Sequence, residues 1–158
     1  IETPRVLVRT VDSLVPKSLL IKRKSLFTYG HINDQLYIRV STIKFNQEQK
    51  LELGSSLDMS LALLENAGAK SLVVKREDFE TENGIKGIKA YGDFYVQVSG
   101  DKLLKKRSSY ELLLFAQENG LQEVLVVYKD DSRFTKAIKD RIINSIELEI
   151  TQEKKKKE

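Results

Sequence analysis

The fold class is decided by residues 83–98, which read NGIKGIKAYGDFYVQV. Asn83-Gly84 is a strong hairpin signal, because both central residues of a type I′ turn need positive φ. Beyond it, apolar side chains take every second position, as in a strand that lies with one face on a core. The apolar face is Ile88, Ala90, Gly92, Phe94, Val96 and Val98, and the other face is Lys89, Tyr91, Asp93, Tyr95 and Gln97. The segment therefore predicts one long strand of an antiparallel sheet.

Further strands are predicted on both sides of this segment from alternation or from enrichment in β-branched and aromatic residues. They cover residues 5–11, 19–29, 36–45, 71–80, 108–117 and 122–129. The last two flank a second hairpin signal, Asn119-Gly120. Both are apolar on both faces, which is typical of strands at the centre of a sheet. Between Val40 and Ile43 the apolar residues change from even-numbered to odd-numbered positions, which predicts a β-bulge in the strand 36–45.

Two helices are predicted from apolar residues that recur three and four positions apart. The first covers residues 56–67, with Ser55 or Ser56 as its N-cap and Gly68 just after its end. The second follows a cap at Asp131 or Ser132. Its buried stripe is expected to be Phe134, Ile138, Arg141 or Ile142, and Ser145 or Ile146. We expect this second helix to pack on the apolar face of the long strand.

The order of these elements predicts one α+β domain over residues 1–150, a mostly antiparallel sheet with two main helices packed on it. Residues 151–158 read TQEKKKKE and are expected to form a charged, disordered tail. The net charge of +4 contains two charges from residues 153–158, which hold four Lys and two Glu. The body of the chain is therefore only weakly basic, and no nucleic-acid partner is expected.

Composition removes several classes of chemistry. The chain has no cysteine and one histidine, so it lacks the nitrogen and sulfur ligands of a zinc site and any thiol nucleophile. No metal site, catalytic residue or cofactor is predicted. No apolar run approaches the roughly 18 residues of a membrane span. Because the sequence begins at Ile1, we expect that an N-terminal segment preceded it, which would allow a periplasmic or membrane-tethered protein with its anchor removed.

Two features of the sequence are candidate catalytic sites. His31 is the only histidine, and it falls in a polar turn with Asn33 and Asp34, where histidine is commonly solvated. The acidic residues Glu77, Asp78, Glu80 and Glu82 could serve a carboxylate-based hydrolase or bind calcium, but they straddle a strand end and a hairpin turn, where a solvated edge is the favoured explanation. We therefore expect the chain not to be an enzyme, with the hydrolase kept as an alternative.

The element order resembles that of the PsbP/Mog-type superfamily. The resemblance covers about residues 36–148 and rests on the NGIKG turn at residues 83–87, which enters a long Tyr-bearing strand, and on the closing segment RIINSI at residues 141–146. It implies an antiparallel sheet between helices. It also implies a non-enzymatic accessory role, as in photosystem accessory subunits, a Ran-binding protein and many bacterial lipoproteins. The acidic patch expected of a Ran binder is missing from the sequence.

A partner-binding surface is predicted near the end of the long strand. Tyr91 and Tyr95 share one strand face, and amphipathic rings suit recognition. The densest basic cluster of the domain lies next along the chain and includes Lys105, Lys106 and Arg107. The tyrosines are expected either to lie beneath the first helix or to be exposed. The lysines could contact a protein partner or an anionic surface, or could instead protect a sheet edge from aggregation.

Overall fold

In the computed structural model, the described residues form an antiparallel sheet of eight strands, curled into a half-barrel, with one helix on each face. This confirms the predicted α+β class and the mostly antiparallel sheet. The described residues are 3, 6–9, 21–45, 51–97, 105–117, 119–129 and 133–148, and for residues 21–24, 97, 105 and 106 the description covers the backbone alone. The proposed tail, residues 151–158, and the candidate caps Asp131 and Ser132 lie outside these ranges.

Most strands lie where the sequence predicts them. They are β1 (Val8–Arg9), β2 (Ile21–Tyr29), β3 (Leu36–Phe45), β4 (Ala69–Lys70), β5 (Lys75–Glu80), β6 (Lys86–Gln97), β7 (Lys105–Gln117) and β8 (Gly120–Tyr128). The helices are α1 (Leu53–Asn66) and α2 (Arg133–Asn144). The order across the sheet is β1-β2-β3-β8-β7-β6-β4, and β5 also pairs with β6. The two strands that are apolar on both faces, β7 and β8, therefore lie in the interior of the sheet, as predicted.

Both predicted hairpins form. Between β7 and β8, Gln117 pairs with Gly120 and Asn119 takes a φ of 51°. Between β5 and β6, Gly84 has a φ of 79° and its N–H donates to the carbonyl of Thr81 (2.9 Å), while Thr81 N–H donates to the carbonyl of Ile85 (3.0 Å). Asn83 has no positive φ, so this turn is a type I turn closed by a left-handed glycine and not the expected type I′ turn.

The helix on the apolar face of β6 is α1. Its buried side chains Leu57, Leu61 and Leu64 join one core with Phe94 of β6 and Leu112 of β7. The helix begins at Leu53, earlier than predicted, and Glu52 at the N-cap position makes no side-chain capping bond. The expected cap, Ser55 or Ser56, lies inside the first turn. Burial of the leucine stripe, and not a capping signal, therefore sets the position of this helix.

The prediction that the last helix packs on the apolar face of β6 is wrong. Helix α2 lies on the opposite face, where its buried Ile142 and Ile143 form a second core. The sheet residues of that core include Ile38, Val40, Leu113, Phe115, Val124 and Val126. A second core exists because β7 and β8 are apolar on both sides. Phe134, expected in the buried stripe, is 74% exposed.

The predicted strand over residues 71–80 is broken near its start. Ser71 takes a φ of 53°, and regular pairing with β6 begins only at Lys75. The intervening chain crosses β6 at Gly92, where a Cβ would lie 2.0 Å from the carbonyl oxygen of Val73. Val73 N–H also donates to the carbonyl of Asp93 (2.9 Å). Glycine is required at this crossing because no side chain fits between the two backbones.

The predicted bulge in β3 is absent. Its register with β8 runs without a shift from Leu36↔Tyr128 to Lys44↔Gly120. The change of parity arises because Ile38 and Val40 face the α2 core, whereas Ile43 packs against the α1 core.

Candidate protein-binding surface

Tyr91 and Tyr95 lie on the face of β6 that also carries α2, so α1 does not cover them. Their register partners on β7 are Glu111 and Arg107, which fixes this assignment because directly opposed residues of an antiparallel pair share a face. Tyr95 is 37% exposed, and Tyr91 is half-buried. The alternative in which the first helix buries these rings is therefore wrong. We call the set Tyr91, Asp93, Tyr95, Arg107 and Ser109 the Tyr–Arg surface.

Arg107 is held in place although most of it faces solvent. Its side chain is 67% exposed, and Nη2 donates to Oδ2 of Asp93 at 2.5 Å. The other carboxylate oxygen of Asp93 accepts a bond from Oγ of Ser109 at 2.8 Å. Asp93 and Ser109 are opposed in the β6–β7 register, and Tyr95 and Arg107 form the next pair on this face. Two strands of the sheet thus fix the guanidinium beside the exposed ring.

The charge of Asp93 is secured by its partners. Partial burial of the carboxylate would by itself raise the pKa of Asp93, but the hydrogen bonds from Arg107 and Ser109 and the nearby charges of Arg107 and Lys75 lower it. Asp93 therefore stays ionised at neutral pH and keeps Arg107 oriented. Charge-assisted bonds of this kind are shorter and stronger than bonds between neutral groups.

The structure assigns Lys105 and Lys106 to the start of β7. Their backbones pair with Gln97 and Val96 of β6, and their side chains lie outside the described part of the molecule. Pairing of β7 with β8 begins only at Ser109. The basic end of β7 thus extends past β8 while remaining paired to β6. Within the described residues this end of β7 is paired on its β6 side only, so a contact with a partner and protection of a sheet edge both remain open for its lysines.

A row of alternating charges borders Tyr91 and was missed by the sequence reasoning. Glu111 of β7 is 8% exposed and accepts from Nζ of Lys139 on α2 at 2.7 Å, with Nζ of Lys89 at 3.8 Å. Lys89 also contacts Glu77 (2.6 Å) and lies 5.2 Å from the ring centre of Tyr91. The sequence signal that could have revealed this row is Glu111, a single charged residue inside the predicted strand 108–117, which is otherwise apolar on both faces.

Lys139 of α2 is the partly buried cation of this row. Burial of its ammonium would lower the pKa of Lys139, but hydrogen bonds from that ammonium to Asp140 (2.5 Å) and Glu111 (2.7 Å) raise it. The ammonium also lies 5.8 Å from the ring centre of Tyr128, a favourable cation–π distance. These contacts show that the Lys139 ammonium is engaged in structural pairing. They do not make Lys139 a free base or nucleophile.

The α1 face contains a second polar network. Glu123 of β8 accepts two bonds from Arg39 of β3, from Nε at 3.0 Å and Nη2 at 2.6 Å, and one from Oγ of Ser60 at 2.5 Å. Next to it, burial raises the pKa of Tyr37. The hydroxyl of Ser60 donates to a carboxylate that is already neutralised by Arg39. The network therefore joins the helix to the sheet and contains no nucleophile with an adjacent base.

The sequence candidates for catalysis occupy ordinary structural positions. His31 lies exposed in a turn, where its backbone N–H donates to Oδ2 of Asp34 (2.7 Å) and its Nδ1 accepts from Asn33 N–H (3.3 Å). Glu77 and Glu80 are exposed on β5, and Glu77 is paired with Lys89. Within the described ranges, His, Cys, Asp and Glu side chains nowhere gather in a group of three or more that could hold a metal ion.

Comparison with known proteins adds no relative. No protein-family model matches this chain, and no curated protein matches it significantly.

Among the helices of the described residues, neither has the length and apolar character needed to span a bilayer.

Proposed function

We propose that this chain is a non-enzymatic binding domain that acts as an accessory protein, and that its partner contacts the Tyr–Arg surface. One observation carries the proposal: an exposed tyrosine ring, Tyr95, stands beside a solvent-facing guanidinium, Arg107, which Asp93 and Ser109 already orient. Tyrosine and arginine are enriched among the residues that dominate binding energy in protein interfaces. Because Asp93 already orients the Arg107 side chain, less side-chain entropy remains to be lost when Arg107 contacts a partner.

The arrangement of the sheet between two helices supports a second part of the proposal. It is the arrangement that the resemblance to the PsbP/Mog-type superfamily implies, and the order of strands and helices along the chain agrees with it. We include membership of that superfamily in the proposal on this ground. The superfamily implies an accessory role, in which a protein acts by contacting a partner. The Tyr–Arg surface on β6 and β7 offers a place for such a contact.

Site-specific photo-cross-linking in the organism that makes the protein tests the binding surface. A benzoylphenylalanine at position 95 would report a partner that lies on the Tyr–Arg surface. The matched control places the same residue at Met59, which is 71% exposed on α1 and lies on the other face of the sheet. We expect a discrete cross-linked protein from position 95 that position 59 does not give. That product should be lost when Arg107→Ala is added. Equal products from both positions, or none from position 95, would refute the proposal.

A further inference from the structure

Asparagine followed by glycine occurs twice in the sequence, at Asn83-Gly84 and at Asn119-Gly120, and each pair lies in a hairpin turn. Such a pair is open to spontaneous deamidation, because a glycine without a Cβ lets its backbone nitrogen approach the asparagine side chain. The structure restrains the two asparagine side chains to different degrees. This difference determines which of the two pairs can react in the folded chain.

The side chain of Asn83 is held by two hydrogen bonds. Its Oδ1 accepts from Oγ1 of Thr81 at 2.5 Å, and its Nδ2 donates to the carbonyl of Leu148 at 3.4 Å. The backbone N–H of Gly84, which contains the attacking nitrogen, donates to the carbonyl of Thr81 at 2.9 Å. The side-chain bonds must therefore break before Cγ of Asn83 can turn toward that nitrogen.

The side chain of Asn119 has no such restraint. It is exposed, and among the described residues its amide group has no hydrogen-bond partner. The backbone is constrained in this turn too, because Gly120 pairs with Gln117 and the carbonyl of Asn119 accepts from Phe45 N–H at 2.8 Å. The two turns thus differ mainly in the freedom of the side chain. We infer that Asn119-Gly120 is a site of spontaneous deamidation and that Asn83-Gly84 is protected from it.

The modification consumes water and needs no further reactant. The backbone nitrogen of Gly120 loses its proton and attacks Cγ of Asn119, which closes a cyclic imide and releases the side-chain nitrogen as ammonia. Water then opens either carbonyl of the imide and leaves aspartate or isoaspartate, each with a new negative charge. In isoaspartate the main chain runs through the side-chain carbons. This adds a methylene to the turn between β7 and β8, next to the contact with Phe45.

Peptide mapping by mass spectrometry tests the inference on the whole folded chain. Trypsin places the two asparagines in different peptides, residues 77–86 and 108–129, and incubation in heavy-oxygen water labels the carboxylates formed before digestion. We expect Asn119 to deamidate roughly tenfold faster than Asn83 or more, since two side-chain hydrogen bonds of Asn83 must break first. The rate should rise with pH, because the attacking nitrogen must lose its proton. In urea above the unfolding transition, the two rates should converge.

Two variants connect the rates to the structure, and circular dichroism checks that each stays folded during incubation. Asn119→Gly suits the left-handed backbone at this position, where φ is 51°, and should leave no deamidation in the peptide 108–129. Thr81→Val removes one bond to the side chain of Asn83 and should raise the rate at Asn83 roughly fivefold while that at Asn119 stays unchanged. Equal rates at both asparagines in the folded chain, a faster rate at Asn83, or no reaction at Asn119 when the unfolded chain reacts would each overturn the inference.

Discussion

Among the described residues, each face of the sheet buries one glutamate, and the two glutamates contact their helices in opposite ways. On the α1 face, the charge of Glu123 is balanced by Arg39 from the neighbouring strand, and the helix contributes only the hydroxyl of Ser60. On the α2 face, the nearest cation to Glu111 is Lys139 of the helix itself, at 2.7 Å, while Lys89 of the sheet lies at 3.8 Å. One face balances its charge within the sheet, and the other balances it between sheet and helix.

This difference determines what holds each helix. Helix α1 is held mainly by its apolar stripe of Leu57, Leu61 and Leu64. If α1 separated from the sheet, the Arg39–Glu123 pair would stay intact, because both residues lie on strands. Separation of α2 would remove the main counter-ion of Glu111. Separating the ion pair of Glu111 costs more than losing the Ser60 hydrogen bond to Glu123, because Glu123 keeps its counter-ion Arg39 whereas Glu111 loses its main one. The docking of α2 should therefore depend on electrostatics, and that of α1 on apolar burial.

The largest effect is expected from breaking the pair inside the sheet. Glu123→Gln should lower the free energy of unfolding by about 3–5 kcal/mol, because it leaves the guanidinium of Arg39 partly buried without its counter-ion. Urea denaturation measures the change. The double variant Arg39→Met with Glu123→Leu should recover most of the loss, since a well-packed apolar pair often replaces a buried ion pair without cost. A single variant as stable as the native chain would show that Arg39 is adequately solvated.

Removing the cation of α2 should have the next largest effect. Lys139→Met keeps the apolar stem but leaves Glu111 with only the longer contact to Lys89, and we expect a loss of about 3 kcal/mol. Hydrogen exchange distinguishes local from global effects: the amides of α2 should lose more protection than those of α1. Equal loss in both helices would contradict the idea that this charge belongs to the docking of α2.

The same pair predicts how stability depends on alkaline pH. The pKa of Lys139 is raised in the folded protein above its unfolded value of about 10.4. Its contribution is therefore complete below about pH 10.4 and is lost as the pH rises toward the folded pKa. Unfolding free energies measured from pH 8 upward should fall more steeply in the native chain than in Lys139→Met. Tyr110, whose pKa burial raises to about 12, acts in the same direction but is common to both proteins. Parallel curves would contradict the prediction.

The two faces also differ in how far the sequence could predict them. Alternation placed Tyr91 and Tyr95 on one face of β6, and the turn chemistry of Asn83-Gly84 and Asn119-Gly120 located both hairpins, because these signals are local. The choice of helix for each face could not be predicted, since β7 and β8 are apolar on both sides and offer two equivalent cores. The contact of Glu111 with Lys139 joins distant parts of the chain and has no local pattern. The crossing of residues 71–74 over Gly92 depends equally on tertiary contact.

The smallest effect is expected from the hydroxyl that links α1 to the sheet. Ser60→Ala should cost about 1–2 kcal/mol, because a hydrogen bond to the Glu123 carboxylate is lost while Arg39 still balances the charge. Ser108→Ala is the matched control: Ser108 is buried on the same face, and its Oγ meets no hydrogen-bond partner in the described part of the chain. Replacing an unpaired buried hydroxyl should leave stability unchanged or raise it slightly, since no bond is broken and a desolvation cost is removed. Urea denaturation of both variants therefore isolates the Ser60 bond. A loss for Ser60→Ala as large as that for Lys139→Met would show that α1 is also held by its polar contact, and the contrast between the two faces would fail.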